Sequence, residues 1–151
     1  PISVSMWLAF GKPDTTVYLP LYYGVDKLPT NTGLGTGTHD YETFYRQHFE
    51  DVDFQAAKSP LLNTKVLELQ KIVEADYGAM IGSLQTELFP IEKALVAGRP
   101  GFESDFAALY AKDRAAAVKK LDAYVADAFG KVSGRYEQLL AEFAGPRDRE
   151  K

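Results

Sequence analysis

The chain of 151 residues has no cysteine, one tryptophan, two methionines and two histidines. Without a thiol it can form no disulfide, no thiolate metal site and no cysteine nucleophile. Positive charge is short as well. Seventeen Lys and Arg against 21 Asp and Glu leave a net charge of −4 and a pI near 5.2. That balance argues against a nucleic-acid partner, which needs a basic stripe to meet phosphates. No apolar run approaches the roughly 20 residues that span a bilayer, so no membrane partner is expected. No signal-peptide pattern opens the chain, but an upstream leader would escape this reading, so cytoplasmic and exported locations both stay open.

What is present is globular in kind: 46% apolar and 25% charged residues, enough for one ordinary domain with a real core. The first 24 residues alternate. Ile2, Val4, Met6, Leu8 and Phe10 fall on one face, with Ser3, Ser5, Trp7 and Ala9 on the other. Gly11-Lys12-Pro13-Asp14 supplies turn chemistry. A second run then sets Val17, Leu19, Leu21 and Tyr23 against Thr16, Tyr18, Pro20 and Tyr22. A β-hairpin over residues 1–24 follows, with Pro20 marking an edge or a bulge because it cannot donate to a ladder.

Residues 25–38, rich in Gly and Thr, read as a loop, and residues 39–144 as a helical region. A first helix is expected over about residues 40–53, with Thr38 or Asp40 as its cap. Ser59-Pro60 marks the start of a long helix whose apolar row is Leu62, Val66, Leu69, Val73, Tyr77, Met80, Leu84 and Leu88. Pro90 is expected to kink or divide it, and Arg99-Pro100-Gly101 to break the chain. A short helix around residues 106–111 precedes a second long one. Its apolar row is Val118, Leu121, Val125, Phe129, Val132, Tyr136, Leu139 and Phe143. Gly145-Pro146 stops that helix, leaving residues 145–151 as a charged tail. Gly78/Gly82 and Gly130/Gly134 mark either a close helix crossing or tolerated helix glycines.

The hairpin poses a physical problem. Two strands alone are marginal in water, and these carry apolar or aromatic side chains on both faces. Strands covered on both sides belong inside a layered sheet. Residues 25–151 read as loop and helix and supply no further strand. The remaining strands are therefore expected from another chain or from a missing N-terminal region. Pro1, standing in what reads as a strand, fits the same expectation. Unpaired strand edges also lead to an expected homo-oligomer.

Several candidate sites compete with blander readings. An N-terminal proline amine can shuttle protons in tautomerases, but those follow their first strand with a helix, whereas Pro13-Asp14 turns this chain straight back. Gly33, Gly35 and Gly37 lack the spacing of a dinucleotide cradle and read as a flexible loop, at most a gate. His39 and His48, near Asp40, Glu42 and Asp51, lack the i, i+4 spacing that puts two imidazoles on one metal. No metal site and no cofactor is expected. Tyr18, Tyr22 and Tyr23 are candidate substrate-binding residues, their hydroxyl tips lining a pocket; the alternative is core aromatics with one polar handle.

The stretches MWLAFGKPDTTVYLPLYYGVDKLP and LQTELFPIEKALV resemble the C-terminal part of the cysteine dipeptidases of the dipeptidase A type, which are N-terminal-nucleophile hydrolases. The likeness lies in W-x-A-x-G-x-P from Trp7 to Pro13 and V-Y-x-P-x-Y from Val17 to Tyr22. An aromatic-rich segment, DYETFYRQHFEDV, and a P-x-E element at Pro90-Ile91-Glu92 follow. The resemblance runs from residue 4 to about 140 and is most specific in the hairpin. It implies an α+β fold of the four-layer αββα kind, in which this chain is a single partial domain. It also implies metal-independent cleavage of dipeptides by a cysteine exposed at the mature N-terminus. The chain has no cysteine and begins with proline, so no catalytic residue carries over to it. The expectation is the C-terminal scaffold segment of such a dipeptidase, partnered by the missing N-terminal catalytic part. Two alternatives are kept: a non-enzymatic helical interaction module docking by strand addition, and more remotely the tautomerase.

Overall fold

The computed structural model describes residues 5–27, residue 29 and residues 61–144. The expected helix at 40–53, the glycine loop, both histidines, Pro1 and the charged tail lie outside the described residues. The described elements are strands β1 (Ser5–Leu8) and β2 (Leu19–Tyr22), then helices α1 (Leu62–Ala75), α2 (Tyr77–Tyr110) and α3 (Arg114–Ala144). The class is α+β: a two-stranded antiparallel hairpin against three helices.

The strands pair in the register Ser5↔Tyr22, Met6↔Leu21, Trp7↔Pro20 and Leu8↔Leu19. Directly opposed residues share a face, so Met6, Leu8, Leu19 and Leu21 lie together, opposite Trp7, Pro20 and Tyr22. Burial is unequal between the strands. Leu19 and Tyr22, from opposite faces of β2, are both buried, whereas Met6 on β1 is 48% exposed. The β2 strand accommodates Pro20 because, among the described residues, it has a strand on one side only.

The connection closes on a β-turn, with Thr15 N–H donating to Lys12 C=O at 3.0 Å. Pro13 takes the position where its fixed φ suits the turn. Gly11 has a different reason to be glycine. A Cβ there would lie 2.8 Å from Gln70 Oε1 and 2.9 Å from Val66 Cγ1, so only a bare backbone passes this close to α1.

The helices form as amphipathic stripes. Leu62, Val66, Leu69 and Val73 of α1 are buried, as are Met80, Leu84, Leu88 and Phe106 of α2. So are Leu121, Val125, Phe129, Val132, Tyr136 and Leu139 of α3. Burying each large apolar side chain contributes on the order of 1.5–3 kcal/mol, and these stripes meet in one core with Val17, Leu19 and Tyr22.

The helix boundaries depart from the sequence expectation. The first described helix starts at Leu62 with Leu61 as an extended N-cap residue and no side-chain cap. Asn63 Oδ1 instead accepts the Thr64 amide at 2.8 Å. Neither Pro90 nor Arg99-Pro100-Gly101 interrupts α2, which carries both prolines internally. Each proline frees the carbonyl four residues back, those of Thr86 and Val96, and both of these residues are exposed, so water can satisfy them. The break falls at Asp76, whose φ of −148° and ψ of 62° leave the helix. Tyr77, expected in the apolar row, is 45% exposed as a result. The next break comes at residues 111–113, where Asp113 Oδ1 caps α3 by accepting the Ala116 amide at 3.0 Å. Of the residues expected to form a separate short helix at 106–111, those from 106 to 110 belong to the end of α2 and Ala111 is its C-cap.

The glycine pairs mark no close crossing. Gly78, Gly82, Gly130 and Gly134 are exposed, and a Cβ on any of them would meet nothing within 4 Å.

Candidate functional site

The residues that carry the sequence pattern meet at the seam between the hairpin and the helices. There the chain between the turn and β2 runs over the helices with its polar backbone in the interior. Such groups must find partners or cost about 1–3 kcal/mol each. Tyr136 of α3 supplies two of them. Its hydroxyl donates to Thr15 C=O at 2.9 Å and accepts from Val17 N–H at 3.2 Å. Burial pushes this hydroxyl up to about 12, against the pull of the Val17 amide, so it stays a neutral donor.

The next amide, that of Tyr18, donates to Glu92 Oε2 at 2.9 Å. Glu92 is the acidic residue of the P-x-E element, so that element fastens the approach to β2. After the strand, Asp122 Oδ1 accepts the amides of Asp26 and Lys27 at 2.8 and 3.3 Å. Before it, Gln70 Oε1 accepts the Lys12 amide at 3.0 Å. With Gln85 Nε2 donating to Asp14 C=O at 3.4 Å, five side chains from three helices hold the backbone from Lys12 to Lys27.

The three tyrosines proposed for substrate binding do not share one environment. Tyr22 lies in β2 and is buried, Tyr18 ahead of the strand is half-buried, and Tyr23 after it is 83% exposed. Tyr22 is buried among aromatics. Its ring centroid lies 5.8 Å from that of Phe102 and 6.1 Å from that of Tyr124, and the latter two rings stack at 3.8 Å. Its hydroxyl donates to Glu103 Oε1 at 3.1 Å, and Arg99 Nε reaches the same oxygen at 2.8 Å. Burial first, then the Glu103 charge, raises the ionisation of Tyr22 far above the usual phenol range. Tyr124 moves in the same direction for the same two reasons.

An open surface hollow of about 280 Å³ lies between α2 and α3, lined by Ala79, Met80, Ser83, Glu142 and Phe143. None of the hairpin tyrosines lines it. Among the described residues no group of three or more His, Asp or Glu side chains is placed to hold a metal ion. Nor is any described helix long and apolar enough to cross a membrane.

Sequence reasoning passed over Tyr136, Gln70, Glu103 and Asp122. Tyr136 stood in the apolar row of α3, and periodicity does not say what its hydroxyl meets. Glu92 was the exception, since the P-x-E pattern already drew attention to it. Compared with protein-family models, with curated proteins and with solved structures, the chain matches none.

Proposed function

We propose that this chain is the C-terminal scaffold segment of a metal-independent cysteine dipeptidase, with its nucleophile supplied by an upstream segment. In that reading the hairpin joins a larger sheet of a four-layer αββα sandwich, and the helices form one of its outer layers. The observation that carries it is a hairpin of two strands with no further strand beside it among the described residues. On the β2 side, Glu92 and Tyr136 occupy the amides of Tyr18 and Val17 just ahead of the strand. Neither outer edge has a described strand beside it, and on β1 Met6 is half exposed. Two strands alone are marginal, and the half-exposed Met6 favours further strands entering next to β1.

The pattern residues support the same reading. Gly11 and Pro13 build the turn, and Glu92 and the backbone of residues 17–18 build the seam, which supports a scaffolding role for these residues. Of Tyr18, Tyr22 and Tyr23, proposed to face a dipeptide, Tyr23 is the accessible one, and Tyr22 stands in the core.

The test is to express these residues alone and with their natural upstream reading frame. The longer protein should hydrolyse dipeptides, lose activity to a thiol alkylator and keep it in chelator. The 151 residues alone should hydrolyse none, because a nucleophile must lie within reach of its base. A start codon directly before Pro1, or a longer protein with no thiol-dependent peptidase activity, would overturn the proposal and favour strand addition to a separate partner.

A further inference from the structure

Six successive residues, 74 to 79, are exposed where α1 gives way to α2. The core resumes on either side, at Val73 and Met80, so the junction has no buried side chain of its own. Its backbone is held locally by two bonds, Asp76 N–H to Val73 C=O and Met80 N–H to Asp76 C=O, both 3.1 Å. Gly78 adds no lateral contact, since a Cβ there would meet nothing within 4 Å.

The hairpin turn reaches this junction from across the fold. Lys12 Nζ pairs with Glu74, and Tyr77 Oη donates to Asp14 Oδ2 at 2.6 Å, one contact on each side of Asp76. Farther out, Gln70 Oε1 accepts the Lys12 amide at 3.0 Å and Gln85 Nε2 donates to Asp14 C=O at 3.4 Å. The Lys12–Glu74 pair is open to solvent, with side chains 60% and 38% exposed. Exposed pairs of this kind are weak and reversible.

We infer that the turn at residues 12–15 is a latch on the helix junction at Asp76. When it lets go, the last turn of α1 and the first turn of α2 open locally, while the core built on α3 stays closed. Element ends with few buried contacts are where such opening occurs, and a few residues there absorb the backbone change.

The latch is also sensitive to acid. The charged and titratable groups facing one another are Lys12 and Asp14 on the turn, Glu74 on α1 and Tyr77 on α2. The hydrogen bond from Lys12 holds the Glu74 carboxyl below its ordinary value. A depressed carboxylate contributes stability at neutral pH and loses it as the pH falls through the lowered value. The hydrogen bond to Asp14 raises Tyr77, so its hydroxyl remains a donor somewhat beyond the pH at which a free phenol ionises.

Amide exchange by NMR on the full 151-residue chain, with and without Lys12→Met and Tyr77→Phe together, tests the inference. Both side chains are exposed, so the variant keeps its core. The amides of Asp76 and Met80 should lose about three- to tenfold protection, as expected for two exposed contacts, while those of Val125, Val132 and Leu139 stay unchanged. Taking the wild type below the Glu74 titration, with intrinsic rates corrected, should narrow the gap between it and the variant. Unchanged protection at Asp76 and Met80 would overturn the latch. So would an equal loss along α3, which would mean that the contacts support the whole fold and not the junction.

Discussion

At the scale of single residues, the glycines separate by what surrounds them. Gly11 passes α1 so closely that an added Cβ would sit 2.9 Å from a methyl of Val66, itself 1% exposed. Gln70, the other neighbour, could swing away, but only by giving up the Lys12 amide it accepts. Gly11→Ala should therefore destabilise by about 1–3 kcal/mol, the usual cost of overpacking. Gly82 and Gly134 sit in helix interiors with open space around them, so Gly→Ala there should stabilise by about 0.5–1 kcal/mol. Denaturant midpoints on the three variants check both signs at once; a stabilising Gly11→Ala would mean that the turn stands off α1. In the sequence these glycines look alike. The turn glycine was legible from Pro13 beside it, but the emptiness around the helix glycines was not, because spacing along one helix cannot report what faces it.

At the scale of elements, apolar periodicity located the helices and misplaced their ends. The rows from Leu62 to Leu88 and from Leu121 to Leu139 are buried as the spacing required, apart from Tyr77. The misplacement has a common cause. Local rules treat proline as a breaker, yet Pro90 and Pro100 sit on the exposed side of α2, where water satisfies the carbonyls they free. The anchors Leu84, Leu88 and Phe106, each at most 2% exposed, hold the helix through both sites. Asp76, with no such rule attached, breaks the chain because its neighbours from 74 to 79 bury nothing. The hairpin was legible as two alternating strands about a turn, though the described strands, Ser5–Leu8 and Leu19–Tyr22, are shorter than the alternating runs. Its seam was not, because Tyr136 and Glu92 reach it from 119 and 74 residues away. It follows that Pro90 is tolerated and not required. Pro90→Ala should restore an amide to the helix and remove the ring's crowding of the Thr86 carbonyl, an interior cost of up to about 3 kcal/mol. The gain is partly offset by about 0.4–1 kcal/mol of extra freedom in the unfolded chain. Thermal unfolding should show a higher midpoint; a lower one would mean that Pro90 is needed to seat Glu92 against Tyr18.

At the scale of the whole molecule, the described fold is closed along its helices and open at its hairpin. The core is continuous from Val17 to Leu139, and Glu92, Tyr136 and Asp122 occupy backbone amides on either side of β2. The outer edge of β1 has no strand partner among the described residues, and neither has that of β2. A strand edge is self-complementary about a two-fold axis, so two copies can pair β1 with β1 in antiparallel fashion. The edge is only four residues long, which keeps that pairing weak. The expected behaviour is therefore concentration-dependent association and not a tight dimer. Met6 is half exposed on this strand, so Met6→Lys should leave the fold intact while placing like charges near each other across the axis. Sedimentation equilibrium over a wide concentration range should give an apparent mass that rises for the wild type and stays at 16.7 kDa for the variant. A wild-type mass fixed at that value throughout would mean that the edge is already covered. The sheet would then be complete as it stands, and the case for strands arriving from an upstream segment would lose its physical basis.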